Sequence, residues 1–164
     1  MLTVIVEAGE NPEAVARTLA GLVPAAVEGV VRDVHIVAGS ESPALKRVVD
    51  TAGARLWPSG RLADAINAAR AEWLLVLEPG ARLNGEWMDA VAAHCGASHM
   101  PARFRKAKGG RRFAWFGARA SALSRGLVIA KAQAIANMRG RRSAEALASG
   151  LAVRTLDVEL TPPV

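Results

Sequence analysis

The sequence predicts an α/β domain with a mostly parallel sheet flanked by helices, and three observations predict it. Through the first 89 residues, apolar runs of strand length alternate with segments of helical period, as strands joined by crossover helices do. The run WLLVL is apolar without interruption, as a strand covered on both faces is. The chain has 164 residues, 51% of them hydrophobic, which is the size of one domain with a closed core.

The elements follow in order. LTVIVEA, at residues 2–8, is a β-branched strand, and Asn11-Pro12-Glu13 then supplies a cap and first turn for a helix through PEAVARTLAGLV. Val15, Leu19 and Leu22 share one face of that helix. VRDVHIVAG is the second strand, with His35 half-buried inside it; ESPALKRVVDTAG is a helix closed by Gly53, and ARLWPSG a short strand and turn. A helix over 62–72, with Leu62, Ile66 and Ala69 in phase, precedes the WLLVLEPG strand and turn. GEWMDAVAAHC is one more helix. Beyond it, ARFRKAKGGRRFAWFGARASALSRG fits a loop or hairpin as well as a helix, and LVIAKAQAIANM and SAEALASGLAVRTLDVEL close the fold with a strand or helix start, a helix and a final strand.

Charge divides the chain into three parts. Residues 1–89 carry 8 Lys/Arg against 12 Asp/Glu, whereas residues 90–143 carry 12 Lys/Arg and no carboxylate. Residues 144–164, the closing helix and strand, are mildly acidic. Positive charge gathered in one segment marks a surface with a partner. The single Cys95 forms no internal disulfide, and MLTVIVEAGENPE lacks a basic start and long apolar middle, so the expected location is cytoplasmic. No apolar run reaches the length of a membrane span. Although His94, Cys95 and His99 are metal-ligand types, they complete no four-ligand zinc site. Ser40 lacks His and Asp partners for a hydrolase triad.

In order and spacing, these parts resemble the nucleotide-binding half of glycosyltransferase family 2, which has the GT-A fold. VIVEAGENPEAVARTLAGL stands against the family's first strand, its Pro-x-Tyr-Asn-like turn and its Arg-Thr-Leu-x-Ser-Leu helix. HIVAGS stands against a strand ending in Asp-Asp-Gly-Ser. GRLADAINAARAEWLLVLEPGARL stands against Gly-x-x-x-Ala-x-Asn followed by an Ala-x-Gly-Glu-Trp strand ending in Asp-x-Asp. The match covers residues 1–89, with a weaker echo at 144–156. It implies a nucleotide-sugar partner, with Arg61 and Asn67 near the donor, while the backbone amides of Gly39 and Ser40 are a candidate phosphate contact in their own right. Their plainer readings are strand-end punctuation, a solvent-facing Arg and a helix Asn bonded to a neighbouring loop.

The departures fall on the acidic motifs. Val37 and Ala38 replace the base-reading carboxylates, and Glu78-Pro79-Gly80 replaces the metal-binding Asp-x-Asp. A cation clamping a diphosphate wants several hard carboxylate oxygens converging from fixed positions, and only Glu78 offers one. No cofactor is therefore expected. Where the family draws its catalytic base, GRRS stands and Glu145 is the nearest carboxylate. Glu78 and Glu145 are the candidate catalytic residues, with an ordinary Glu-Pro-Gly turn as the alternative for Glu78.

Two functional readings remain open. In one, a metal-independent glycosyltransferase replaces the cation with Arg61 and the Arg111-Arg112 pair. In the other, an inactive GT-A scaffold serves as a binding or assembly module. In both, Arg105, Phe113, Trp115 and Phe116 suit an anionic surface at the inner face of the membrane or a lipid-linked acceptor. Nucleic acid, or a solvated loop with its aromatics packed beneath it, is the alternative for that segment.

Overall fold

The computed structural model describes residues 1–9, 11–39, 42–107 and 121–163. Its first half alternates as the sequence predicts: β1 (Leu2–Ala8), α1 (Pro12–Val27), β2 (Val31–Ala38), α2 (Pro43–Thr51), β3 (Arg55–Pro58), α3 (Leu62–Ala68) and β4 (Trp73–Leu77). The second half comprises β5 (Arg82–Leu83), α4 (Trp87–Ala97), β6 (Ala102–Lys106), β7 (Leu127–Ala130), α5 (Lys131–Asn137), α6 (Ala144–Ala148) and β8 (Arg154–Thr161).

Among the described residues all the strands join one sheet, in the order β3-β2-β1-β4-β7-β6-β8-β5. The four strands of the first half run parallel, as strands joined by crossover helices do. β7 enters antiparallel to β4 and to β6, while β8 lies parallel to β6. Helices cover both faces, so the core is two clusters. One joins Val4, Val6, Leu75 and Leu77 to Val15, Leu19 and Leu22 of α1 and Val49 of α2; the other joins Ile5, Leu74 and Val76 to Ile66 of α3, Ala134 of α5 and Leu147 of α6. Successive strand residues point to opposite faces. That is why Val4, Ile5 and Val6 can all be fully buried.

The caps explain where the first helices start. The Asn11 side chain accepts from the Ala14 amide at 3.1 Å and Ser42 from the Leu45 amide at 3.2 Å, each with Pro in the first turn. α1 runs further than its apolar period suggested, through Pro24 to Val27. A proline so near the end removes a single helix hydrogen bond. α3 is shorter than the 62–72 reading because Ala69 turns extended and the Arg70 amide bonds to Asp33 instead.

Asp33 centres a network at the amino-terminal edge of β1. The Thr3 hydroxyl donates to Asp33 Oδ1 and accepts from the Ala71 amide at 3.1 Å; Asp33 Oδ2 lies 3.1 Å from His35 Nε2, and His35 Nδ1 lies 2.9 Å from the Ala65 carbonyl. His35 is fully buried rather than half-buried. Thr3→Val keeps the shape but strands one donor and one acceptor, and is expected to cost about 2 kcal/mol in urea unfolding.

Candidate functional site

In the order β2-β1-β4, the chain leaves β1 towards one edge of the sheet and enters β4 on the other side. Such a reversal opens a crevice beyond the carboxyl ends of the two strands, where open α/β sheets bind ligands. A pocket of about 370 Å³ lies there, lined by Glu7 from β1, Leu77, Glu78 and Pro79 from the end of β4, Ser121, Leu123, Glu145 and Pro163. The two candidate catalytic residues, Glu78 and Glu145, thus share one pocket although 67 residues separate them in the chain.

The turn after β4 is held from two sides. Gly80 sits at φ 92°, its amide donating to the buried Thr18 hydroxyl of α1 at 2.8 Å. A Cβ there would stand 3.2 Å from Pro163 Cβ. Glycine is required by both the left-handed backbone and the close approach. Glu78 closes the turn through its carbonyl, which accepts from the Ala81 amide at 3.1 Å, leaving the half-buried carboxylate at the pocket wall.

The other two carboxylates are engaged by backbone. Glu7 Oε2 accepts from the Ala144 amide at 2.7 Å, in the first turn of α6, which Ser143 caps. Glu145, the next residue, accepts from the Ser121 hydroxyl at 2.6 Å, the Ala122 amide at 2.5 Å and the Leu123 amide at 3.3 Å. Burial alone would raise its carboxyl pKa, but these three bonds and the charge of Arg103 outweigh it and hold it below the ordinary glutamate value. A carboxylate so stabilised is a weak base. Arg103 in turn is held below its usual value by burial and by the neighbouring Arg125, with Glu145 opposing.

Of the substrate-binding candidates, Gly39 follows β2, exposed and outside the pocket lining. Arg61 precedes α3 and pairs with Asp64 at 2.5 Å, and Asn67 is exposed, its carbonyl accepting from Lys131 Nζ at 2.9 Å. Neither lines the pocket. Arg105 is exposed on β6 and paired with Asp157 at 2.7 Å. Ser40, Arg111, Arg112, Phe113, Trp115 and Phe116 lie outside the described residues. His94 is buried, with Nε2 2.8 Å from the Met100 carbonyl, and burial pushes the Cys95 thiol up to about 11. Glu7 lines the same pocket without having been among the expected site residues. Its only signal was a carboxylate at the carboxyl end of a buried strand.

The donors among the described residues are not arranged as ligands of a divalent cation. Glu7 and Glu145 are turned to amides, Gly80 contributes an N–H, and among the described residues no three His, Cys, Asp or Glu side chains are grouped to hold a metal. Nor is any helix among the described residues long and apolar enough to cross a membrane.

No protein-family model matches the sequence, and comparison with curated proteins finds no match. Solved structures do match. Residues 1–349 of S. aureus TarS align at 17% identity over 99% of this chain and 60% of that one, with a TM-score of 0.65. Glucosyl-3-phosphoglycerate synthase from Mycobacterium tuberculosis aligns at 10% identity over 94% of this chain and 69% of that one, TM-score 0.59. Mannosyl-3-phosphoglycerate synthase from Rubrobacter xylanophilus aligns at 8% over 94% and 64%, TM-score 0.59. The TarS fragment has been solved with UDP, and the mycobacterial synthase with Mn2+ and UDP-glucose. The chain spans about three fifths of the TarS fragment. At such identities the likeness is one of fold, and the fold is that of the GT-A glycosyltransferases.

Proposed function

We propose that the chain binds a nucleotide-sugar at the crevice between β1 and β4 and acts as a metal-independent glycosyltransferase of family 2 type. The observation that carries the reading is the position of Glu78, at the carboxyl end of β4, in the crevice where this fold class binds ligands. The structural neighbours that bind UDP or UDP-glucose support the ligand class.

In this reading Glu78 is the carboxylate available to an acceptor hydroxyl, since Glu7 and Glu145 already accept from amides. Glu145 then positions the turn at 121–123 rather than taking a proton. Stabilisation of the leaving diphosphate falls to cations in place of a metal. Arg111 and Arg112 are the candidates for that role, because the segment that carries them ends in sequence at Ser121, which lines the pocket. Arg61 would need to release Asp64 to join them. An acceptor at an anionic membrane surface or carried on a lipid fits the aromatics of the same segment.

A second reading, a binding module without turnover, is favoured by a specific observation: two of the three pocket carboxylates already accept from the chain's own backbone. Calorimetric titration with UDP, GDP and their sugars, with and without manganese, separates the readings. Saturable binding indifferent to manganese, with sugar turnover lost in Glu78→Gln, supports the transferase. Binding without turnover in wild type supports the module, and a folded protein that binds no nucleotide rejects the transferase and moves the search for the module's partner to the basic segment.

A further inference from the structure

A second cavity, of about 450 Å³, lies at the opposite end of the sheet, between α1 and α2. Its floor is Val31 and Val34, from the first half of β2, whereas the crevice of Glu7 and Glu78 lies beyond the carboxyl ends of β1 and β4. Val23 and Val48 form apolar walls. The groove is open because Ala16, Ala20 and Ala26 on α1 and Ala52 after α2 place only a methyl group where larger side chains would close it. At the rim, Val23 is 56% exposed and Val27, on the next turn of α1, 82%.

Such volume, with an almost wholly aliphatic lining, is of the size that takes a small molecule. What kind is indicated by its two polar side chains, Arg47 and Thr51. Arg47 is the one ionic group on the lining, and no described acidic residue pairs with it, although Lys46 beside it pairs with Asp50 at 3.2 Å. A guanidinium at the edge of an apolar groove selects a ligand with an anionic head and a hydrocarbon body. A diphosphate would find one cation and no further donors beyond a hydroxyl. A flat aromatic would find no ring to stack on, since the lining has none.

We propose that the groove between α1 and α2 binds a free single-chain aliphatic carboxylate, its head on Arg47 and its tail along Val23, Val31, Val34 and Val48. The nucleotide-sugar reading plays no part in this assignment, and both ligands can be held at once.

The test is calorimetric titration of the full chain with dodecanoate below its micelle concentration, beside dodecyltrimethylammonium as the cationic control. One saturable site for dodecanoate is expected, weakened about tenfold in Arg47→Gln, as loss of a charge-assisted hydrogen bond implies. Ala20→Phe, which lays a ring over the groove, is expected to abolish it. Ala20 is exposed, and Ala26→Leu is a second block at an exposed position, each checked for fold by circular dichroism. No saturable site in the folded wild type overturns the proposal, as does equal binding of the cation. Dimerisation or flotation with anionic vesicles that Ala20→Phe abolishes, without dodecanoate binding, assigns the groove to a second copy or to a bilayer and also overturns it.

Discussion

Gly126→Val is expected to destabilise the protein by about 3 kcal/mol, summing the cost of a left-handed L-residue with that of overpacking. Gly126 sits at φ 59° where the turn from Ser121 feeds into β7, its amide bonded to the Leu123 carbonyl at 2.7 Å. A Cβ built on it meets Leu77 Cδ2, Phe104 Cδ2 and Leu160 Cδ1, each at 3.2 Å. Those side chains come from β4, β6 and β8, and Phe104 and Leu160 are fully buried. Branching at Cβ adds two more carbons to a place that cannot take one without movement. Gly126→Ala should cost less, because its single added carbon asks the three side-chain ends to give only a few tenths of an ångström. Urea unfolding of the two variants side by side checks the order, and equal midpoints would show that backbone strain alone decides.

Glu145→Ala is the second large effect, about 2 kcal/mol, for the loss of three hydrogen bonds to a partly exposed carboxylate. Its Ser121, Ala122 and Leu123 donors then turn to water, and α6 loses its tie to the turn at 121–123. The pH dependence has a definite sign. Because the folded pKa is depressed, the carboxylate's contribution is complete above the unfolded value, about 4.3, and disappears as the pH falls through the lower folded value. Wild type and Glu145→Ala should therefore differ by a constant amount at neutral pH and converge below about pH 4. Convergence on the alkaline side instead would mean that another group carries the effect. Nucleotide binding measured on the same variant shows whether the turn matters to the crevice.

What could be read in the chain was local. The strand at Leu2–Ala8 and the buried face of Val15, Leu19 and Leu22 follow from periodicity, and Asn11 acts as the expected cap at the start of α1. These depend on neighbours a few residues away. α3 ends early because the Arg70 amide finds Asp33, 37 residues distant, which no window on the sequence contains. The two-residue β5 exists only because β8 returns beside it, and β6 acquires its identity from β7 and β8. The same division holds at the site. Glu78 was legible as the end of an apolar strand, and Glu145 through the family echo. Glu7 was not, since its partner Ala144 lies 137 residues away, and nothing local shows that Glu145 accepts from Ser121 and the amides beside it.

An open sheet has two rims, and an unpaired rim is a template for another chain's backbone. Among the described residues one rim is β3, four residues long and ending in Pro58, which has no N–H to offer. The other is β5, two residues long. Each is shorter than the strand it covers, so among the described residues β2 stays unpaired on that side at 31–34 and β8 at 154–158. Those two stretches are where another strand would have to add, and each carries charge, Arg32 and Asp33 on β2 and Arg154 and Asp157 on β8, which disfavours edge-to-edge pairing of native molecules.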